Sequence, residues 1–65
     1  MQIQLNGEDA QVAALNLADL VRELGLEKRM IAIERNMEVV PKSQYAATAL
    51  EENDRIELVH MIGGG

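Results

Sequence analysis

One stretch of the chain has the hydrophobic period of an α-helix. A single helix limits how much apolar surface of the rest of the chain can be covered. An apolar side chain recurs at positions i, i+3, i+4 and i+7, which are Leu17, Leu20, Val21 and Leu24. This spacing places one apolar stripe along a helix. Asn16 is suited to cap its first turn, and Gly25 is suited to the left-handed residue that ends it. A single helix over residues 17–24 is therefore predicted.

Segments with the features of β-strands lie on both sides of this helix. Ile3 and Leu5 alternate with glutamines, and Asn6-Gly7 then supplies a turn into a second strand at about residues 10–14. Further strands are predicted at 30–33, 38–40 and 55–62, with a loop or short helical turn at 43–47. The expected fold is α+β: one mixed sheet of four to five strands, packed on one main helix.

Length and composition restrict what such a domain can do. Sixty-five residues allow one domain, so we expect a domain over residues 1–62 and a flexible tail at 63–65. The net charge of −5 disfavours binding to nucleic acid or anionic membranes and favours a basic partner. With no cysteine and no apolar segment long enough to cross a membrane, we expect a cytoplasmic protein that acts through its surface.

The last predicted strand has two different faces. Ile56 and Leu58 share one face, while Glu57, Val59 and Met61 point to the other. Because one helix cannot cover both faces of the sheet, Val59 and Met61 are candidates for an exposed partner-binding patch. The alternative is that both belong to a small satellite core beneath a loop.

Several charged side chains lie in or just before this strand. Glu51, Glu52 and Asp54 lack the spacing of a calcium loop, so a solvated acidic turn is expected there. With Glu57, the two glutamates are expected to surround the apolar pair and steer a basic partner. His60 is the only histidine, and without other metal ligands or a triad it is expected to be an ordinary strand residue. No catalytic or metal-binding residue is predicted.

The chain ends in Gly63-Gly64-Gly65, and structural need does not explain these residues. Glycine adds no packing and loses the most backbone freedom on folding. A linker remnant or ordinary terminal fraying is one interpretation. The functional interpretation is that a tail without side chains can enter a narrow cleft and deliver its terminal carboxylate to a reaction centre.

Nearly the whole chain resembles the ThiS-type sulfur carriers of thiamin biosynthesis, in the ubiquitin-like β-grasp superfamily. The resemblance rests on the following segments: Asn6-Gly7, the helix at 17–24, Ile33-Glu34-Arg35-Asn36, Val39-Val40-Pro41, Tyr45, Asp54, Ile56-Glu57-Leu58-Val59-His60 and the three terminal glycines. Two positions depart from the family pattern. Met61 stands where an aromatic residue is expected, and Glu52-Asn53-Asp54 replaces an acidic turn that contains glycine.

The resemblance implies a carrier rather than an enzyme. An E1-like adenylating enzyme would use its own ATP and Mg²⁺ to adenylate the carboxylate of Gly65, while Gly63 and Gly64 thread its active site. A cysteine desulfurase or similar donor would then supply sulfur for a thiocarboxylate, and thiazole synthase would accept that sulfur. The chain itself would bind no cofactor and would be a monomer when free.

Two alternative functions remain open at this point. The same tail chemistry would serve a carrier for another acceptor, such as molybdopterin or an amino-acid pathway. A non-covalent ubiquitin-like binding module, whose glycines form only a flexible end, is the other alternative.

Overall fold

The computed structural model describes residues 1–61, and the expected flexible tail at 63–65 lies outside the described residues. The elements in chain order are β1 (Gln2–Leu5), β2 (Glu8–Gln11), α1 (Leu17–Glu23), β3 (Ile31–Arg35), β4 (Glu38–Val40), a 3-10 turn (Lys42–Gln44) and β5 (Arg55–His60). The five strands form one sheet in the order β2-β1-β5-β3-β4. The β1–β5 pair is parallel and the other pairs are antiparallel, so the predicted mixed sheet is confirmed.

The boundaries of α1 follow from its capping residues, as predicted. The Asn16 side chain accepts a hydrogen bond of 2.8 Å from the Asp19 amide at the start of the helix. At the other end Gly25 has a φ of +72°, a conformation that glycine adopts without steric cost. Sequence periodicity therefore located this helix to within one residue.

The prediction of a second strand at about residues 10–14 is wrong in its bounds, because β2 spans Glu8–Gln11. Asn6 and Gly7 both have positive φ, so two residues suffice for the turn and β2 begins at Glu8, opposite Leu5. After β2 the Glu23 carboxylate accepts hydrogen bonds from the amides of Ala13 and Ala14. Because these amides donate to a helix side chain rather than to a neighbouring strand, the chain has left the sheet before Ala13.

The core is aliphatic, as the composition predicts, and lies between α1 and one face of the sheet. The side chains that are fully buried are Ile3, Leu17, Leu20, Ile33 and Ile56. They come from the helix and from the three central strands. Tyr45 and Leu50, from the segment between β4 and β5, are also buried in this cluster.

The prediction of a solvated acidic turn before β5 is wrong for Asp54, which is buried. Asp54 is only 6% exposed, and its carboxylate accepts hydrogen bonds from Arg35 Nε at 2.8 Å, Asn36 Nδ2 at 3.0 Å and the Glu51 amide at 2.9 Å. Burial alone would raise the pKa of Asp54, but these hydrogen bonds and the Arg35 charge lower it overall. Asp54 is thus a structural anchor between this turn and β3, while Glu51 and Glu52 are exposed.

The backbone of the same turn explains how Glu52-Asn53-Asp54 can replace an acidic turn that contains glycine. Asn53 has a φ of +69°, in the left-handed region where glycine is otherwise favoured. Asparagine is one of the few other residues that adopt this conformation readily. The turn therefore keeps its backbone geometry without a glycine.

No helix within residues 1–61 combines the length and the apolar character needed to cross a membrane.

Candidate functional site at the end of the central strand

The pairing of β3 with β5 determines which side chains of β5 face the core. Ile33 is fully buried and lies opposite Leu58, which is half-buried and packs on the core. Because side chains alternate along a strand, Val59 and Met61 lie on the outer face. They are 53% and 50% exposed, so they are not a satellite core beneath a loop. Their predicted position is confirmed, and their role in binding a partner stays a prediction.

Two further apolar residues that the sequence did not reveal lie beside this pair. Ala32 lies directly opposite Val59 in the β3–β5 register. Met30 accepts a hydrogen bond of 2.8 Å through its carbonyl from the Met61 amide, and its side chain is exposed. We call Met30, Ala32, Val59 and Met61 the outer-face patch. Alternation within residues 30–33 could have suggested Met30 and Ala32, but only the register places them next to β5.

The acidic residues around the outer-face patch differ in part from those predicted. Glu57 lies on the outer face, directly opposite Glu34 of β3, and it forms an ion pair of 3.3 Å with Arg55. Glu51 and Glu52 do not surround the patch. They precede β5, whereas the patch lies at its far end, and a six-residue strand spans about 20 Å. The acidic pair near the patch is therefore Glu34 and Glu57.

Glu51 and Glu52 have local partners at their own end of β5. Glu51 lies 3.5 Å from Arg35, and Glu52 accepts a hydrogen bond of 3.1 Å from the Gln2 amide. Their carboxylates help to fix the turn against β1 and β3. The predicted ring of acidic residues is wrong for these two glutamates because strand length separates them from Met61.

His60 is an exposed residue of β5, opposite Ile31, as predicted. It therefore lies on the same face of the sheet as Leu58, not within the outer-face patch. Within residues 1–61, no three histidine, cysteine, aspartate or glutamate side chains are grouped so that they could hold a metal ion.

The strand that leads to the tail is held on both sides. β5 is the central strand, between β1 and β3. Beyond the short parallel pairing with β1, the Asn6 side chain accepts a hydrogen bond of 2.8 Å from the Leu58 amide. On the other side, the Met61–Met30 hydrogen bond extends the pairing past the end of β5. Residue 61 is thus fixed to the sheet, while Gly63, Gly64 and Gly65 lie outside the described residues.

Comparisons with known proteins agree with this architecture. The sulfur carrier protein ThiS of Bacillus subtilis (strain 168) is 37% identical over 97% of this chain and 98% of its own length. The crystal structure of the thiamine biosynthesis protein ThiS from Geobacter metallireducens superimposes with a TM-score of 0.85 at 28% identity, and each chain is fully covered. The predicted β-grasp fold is therefore confirmed.

Longer proteins also contain a segment similar to this chain. A thiazole synthase of Paramagnetospirillum magneticum (strain ATCC 700264 / AMB-1) is 44% identical over the whole chain, which spans 20% of that protein. The chain spans the same share of a thiazole synthase from Magnetococcus marinus (strain ATCC BAA-1437 / JCM 17883 / MC-1).

A family model described as the ThiS family matches residues 3–65, which include the helix, the three terminal glycines and all five strands except Gln2, the first residue of β1. The chain therefore belongs to the ThiS family of sulfur carrier proteins.

Proposed function

We propose that this chain carries sulfur for thiamin biosynthesis on the carboxylate of Gly65. The observation that carries the proposal is the match of the ThiS family model, which continues through the last residue of the chain. Gly63 and Gly64 would let the tail enter a narrow cleft, where a Cβ would collide with the walls. The protein would act in the cytoplasm, as a monomer when free.

The chemistry requires activation because a carboxylate oxygen is a poor leaving group. In the first step a Gly65 carboxylate oxygen attacks the α-phosphorus of ATP and pyrophosphate leaves, which gives an acyl-adenylate. A sulfur nucleophile then attacks the acyl carbon and AMP leaves. Where the nucleophile is a persulfide, such as that on a cysteine desulfurase, a thiol reductant then supplies two electrons to cleave the S–S bond. The donor leaves as a thiol, and Gly65 ends in a thiocarboxylate.

ATP and Mg²⁺ would belong to the adenylating partner. The glycines at 7 and 25 form a hairpin turn and a helix end, and both are single glycines with positive φ. Neither belongs to a glycine-rich loop of the kind that cradles phosphates. The contribution of this chain is therefore to dock and to present its carboxylate.

The outer-face patch would dock on the adenylating enzyme. It lies next to the start of the tail, so a partner that grips Val59 and Met61 also holds the chain close to its reactive end. Apolar residues flanked by Glu34 and Glu57 combine burial of apolar area with attraction to a basic surface.

Thiazole synthase would be the acceptor of the sulfur. Its support is the presence of a segment similar to this chain within two proteins named thiazole synthase. Two activities joined in one polypeptide have a high effective concentration for each other, which suits a carrier and its acceptor.

The adenylation step can be tested with the purified chain and a ThiS-adenylating enzyme. The assay measures pyrophosphate release from ATP and Mg²⁺, with the intact chain compared with a chain that lacks Gly64-Gly65. We expect the truncation to abolish release while the thermal midpoint stays nearly unchanged, since no core residue is removed. Equal release from both chains would overturn the proposal.

A further inference from the structure

A groove that shares Met30, Ala32 and Met61 with the outer-face patch combines an apolar lining with two cationic residues. Its volume is about 340 Å³, and it is open to solvent. Its apolar lining comes from the residue before β3, the first two residues of β3, the end of β4 and the residue after β5, namely Met30, Ile31, Ala32, Val40 and Met61. The buried Tyr45 lies at one side of it. The space is large enough for an aliphatic side chain and neighbouring backbone.

Two cationic side chains, Arg29 and Lys42, complete the lining. The chain has only six lysines and arginines against eleven carboxylates. Three of the six, namely Arg22, Arg35 and Arg55, form ion pairs with carboxylates. Within residues 1–61 the other three, Lys28, Arg29 and Lys42, form none. Two of these three cations thus lie at one apolar groove.

We propose that this groove docks an acidic segment of a partner protein, which inserts an aliphatic side chain and pairs neighbouring carboxylates with Arg29 and Lys42. The groove and such a segment are complementary in charge. An apolar lining takes the aliphatic side chain, and cations without ion pairs at its rim take the carboxylates. We call this surface the cationic groove.

Other anionic partners fit these observations less well. A nucleic acid or an anionic membrane presents many charges and would be repelled by the rest of a chain with a net charge of −5. A lone small anion leaves the apolar lining unused. A short protein segment with one or two carboxylates uses both features and is little affected by distant acidic residues, because salt screens them.

The cationic groove and the outer-face patch prefer partners of opposite charge. The patch is flanked by Glu34 and Glu57, whereas the groove is flanked by Arg29 and Lys42. Three of the four patch residues, Met30, Ala32 and Met61, belong to both surfaces. One molecule can therefore present different charge to successive partners that compete for the same end of the chain. The groove proposal does not depend on the chemistry of the tail.

The test measures binding of a short peptide, acetyl-Glu-Leu-Asp-amide, to the ¹⁵N-labelled full chain by NMR. We expect saturable shifts of the Ala32 and Lys42 amides and none in β2, at the opposite edge of the sheet. Replacing the peptide leucine by serine should weaken binding about tenfold, as expected for loss of one buried aliphatic side chain.

Two variants of equal net charge separate the groove from general electrostatics. Arg29→Gln with Lys42→Gln and the single change Lys28→Glu both lower the net charge of −5 by two units. The double variant should bind the peptide roughly threefold to tenfold more weakly, the loss expected for two exposed ion pairs. Lys28→Glu and the neutral change Val59→Ser should bind as the parent does.

Several results would overturn the proposal. One is equal weakening by Lys28→Glu and by the double variant, and another is equal binding of acetyl-Lys-Leu-Lys-amide. Acetate that produces the same saturable shifts would indicate a small-anion site. Tighter peptide binding after deletion of Ile62–Gly65 would assign the groove to the chain's own tail. None of these readouts involves adenylation, so failure here leaves the sulfur-carrier proposal untouched.

Discussion

Glu34 of β3 and Glu57 of β5 lie directly opposite each other on the outer face of the sheet. Like charges in this arrangement are destabilising by roughly 0.2–1 kcal/mol. Arg55 offsets part of the repulsion through its ion pair with Glu57. The packing of the core does not require either carboxylate, and both flank the outer-face patch. The pair is therefore best explained as part of a surface for a basic partner.

Replacing Glu34 by Gln tests this explanation. The change should raise the free energy of unfolding by up to about 1 kcal/mol, because it removes the repulsion. It should also slow association with the adenylating enzyme at low salt, since steering by charge acts mainly on the association rate. Urea unfolding and stopped-flow binding measure the two effects. The matched control is Glu8→Gln, on the exposed edge strand β2, and the explanation fails if both variants change association equally.

Substitutions at Leu58 and Met61 test which face of β5 packs on the core and which face is exposed. Leu58→Ala should cost roughly 2 kcal/mol of stability, the low end for a core truncation, because Leu58 is only half-buried. Met61→Asp should cost about 1 kcal/mol or less, yet weaken binding to the adenylating enzyme strongly. Chemical denaturation and calorimetric binding provide the readouts.

Met37→Asp is the control for Met61→Asp. Met37 is exposed but lies in the turn between β3 and β4, outside the outer-face patch. We expect this variant to bind the adenylating enzyme as the parent does. Unfolding of the domain by Met61→Asp, with Leu58→Ala tolerated, would mean that the two faces have been exchanged.

Asp54 should make stability depend on pH in the acidic range. Its pKa is lowered in the folded protein from the ordinary 3.8, so its contribution is complete above that pH and is lost as the pH falls through the folded pKa. Asp54→Asn removes this titration along with the ion pair to Arg35, at a cost of about 1–3 kcal/mol near pH 6.

The measurement is the free energy of unfolding of the parent and Asp54→Asn, by urea at pH 6 and pH 3. The difference between the two proteins should be smaller at pH 3, below the ordinary pKa of 3.8, because Asp54 of the unfolded parent binds a proton there. A difference that stays constant across this range would show that the Asp54–Arg35 pair contributes no charge-dependent stability.

The order of elements could be predicted from the sequence because local signals determine it. The apolar stripe of α1, the cap at Asn16 and the turns at Asn6-Gly7 and Asn36 each need only neighbouring residues. The aliphatic core followed from the composition and from the hydrophobic period of the helix. The exposure of Val59 and Met61 followed from the alternation of side chains along a strand. These features depend on interactions within a few residues of the chain.

The features that were missed depend on residues far apart in the sequence. Burial of Asp54 needs Arg35 and Asn36, nearly twenty residues earlier, which the pairing of β3 with β5 brings to the turn. The cationic groove likewise combines Arg29 with Lys42 and Met61. Local sequence patterns do not reveal such pairings. The acidic residues before β5 were therefore predicted to form a solvated turn.

The intact mass of the protein shows whether Gly65 carries the sulfur. The chain would be incubated with the adenylating enzyme, ATP, Mg²⁺ and a sulfur donor, and a chain lacking Gly64-Gly65 would be treated in parallel. We predict that the intact chain gains the mass of one sulfur in place of one oxygen, located in the C-terminal fragment by tandem mass spectrometry. An unchanged mass of the intact chain, or the same gain in the truncated chain, would show that Gly65 does not carry the sulfur.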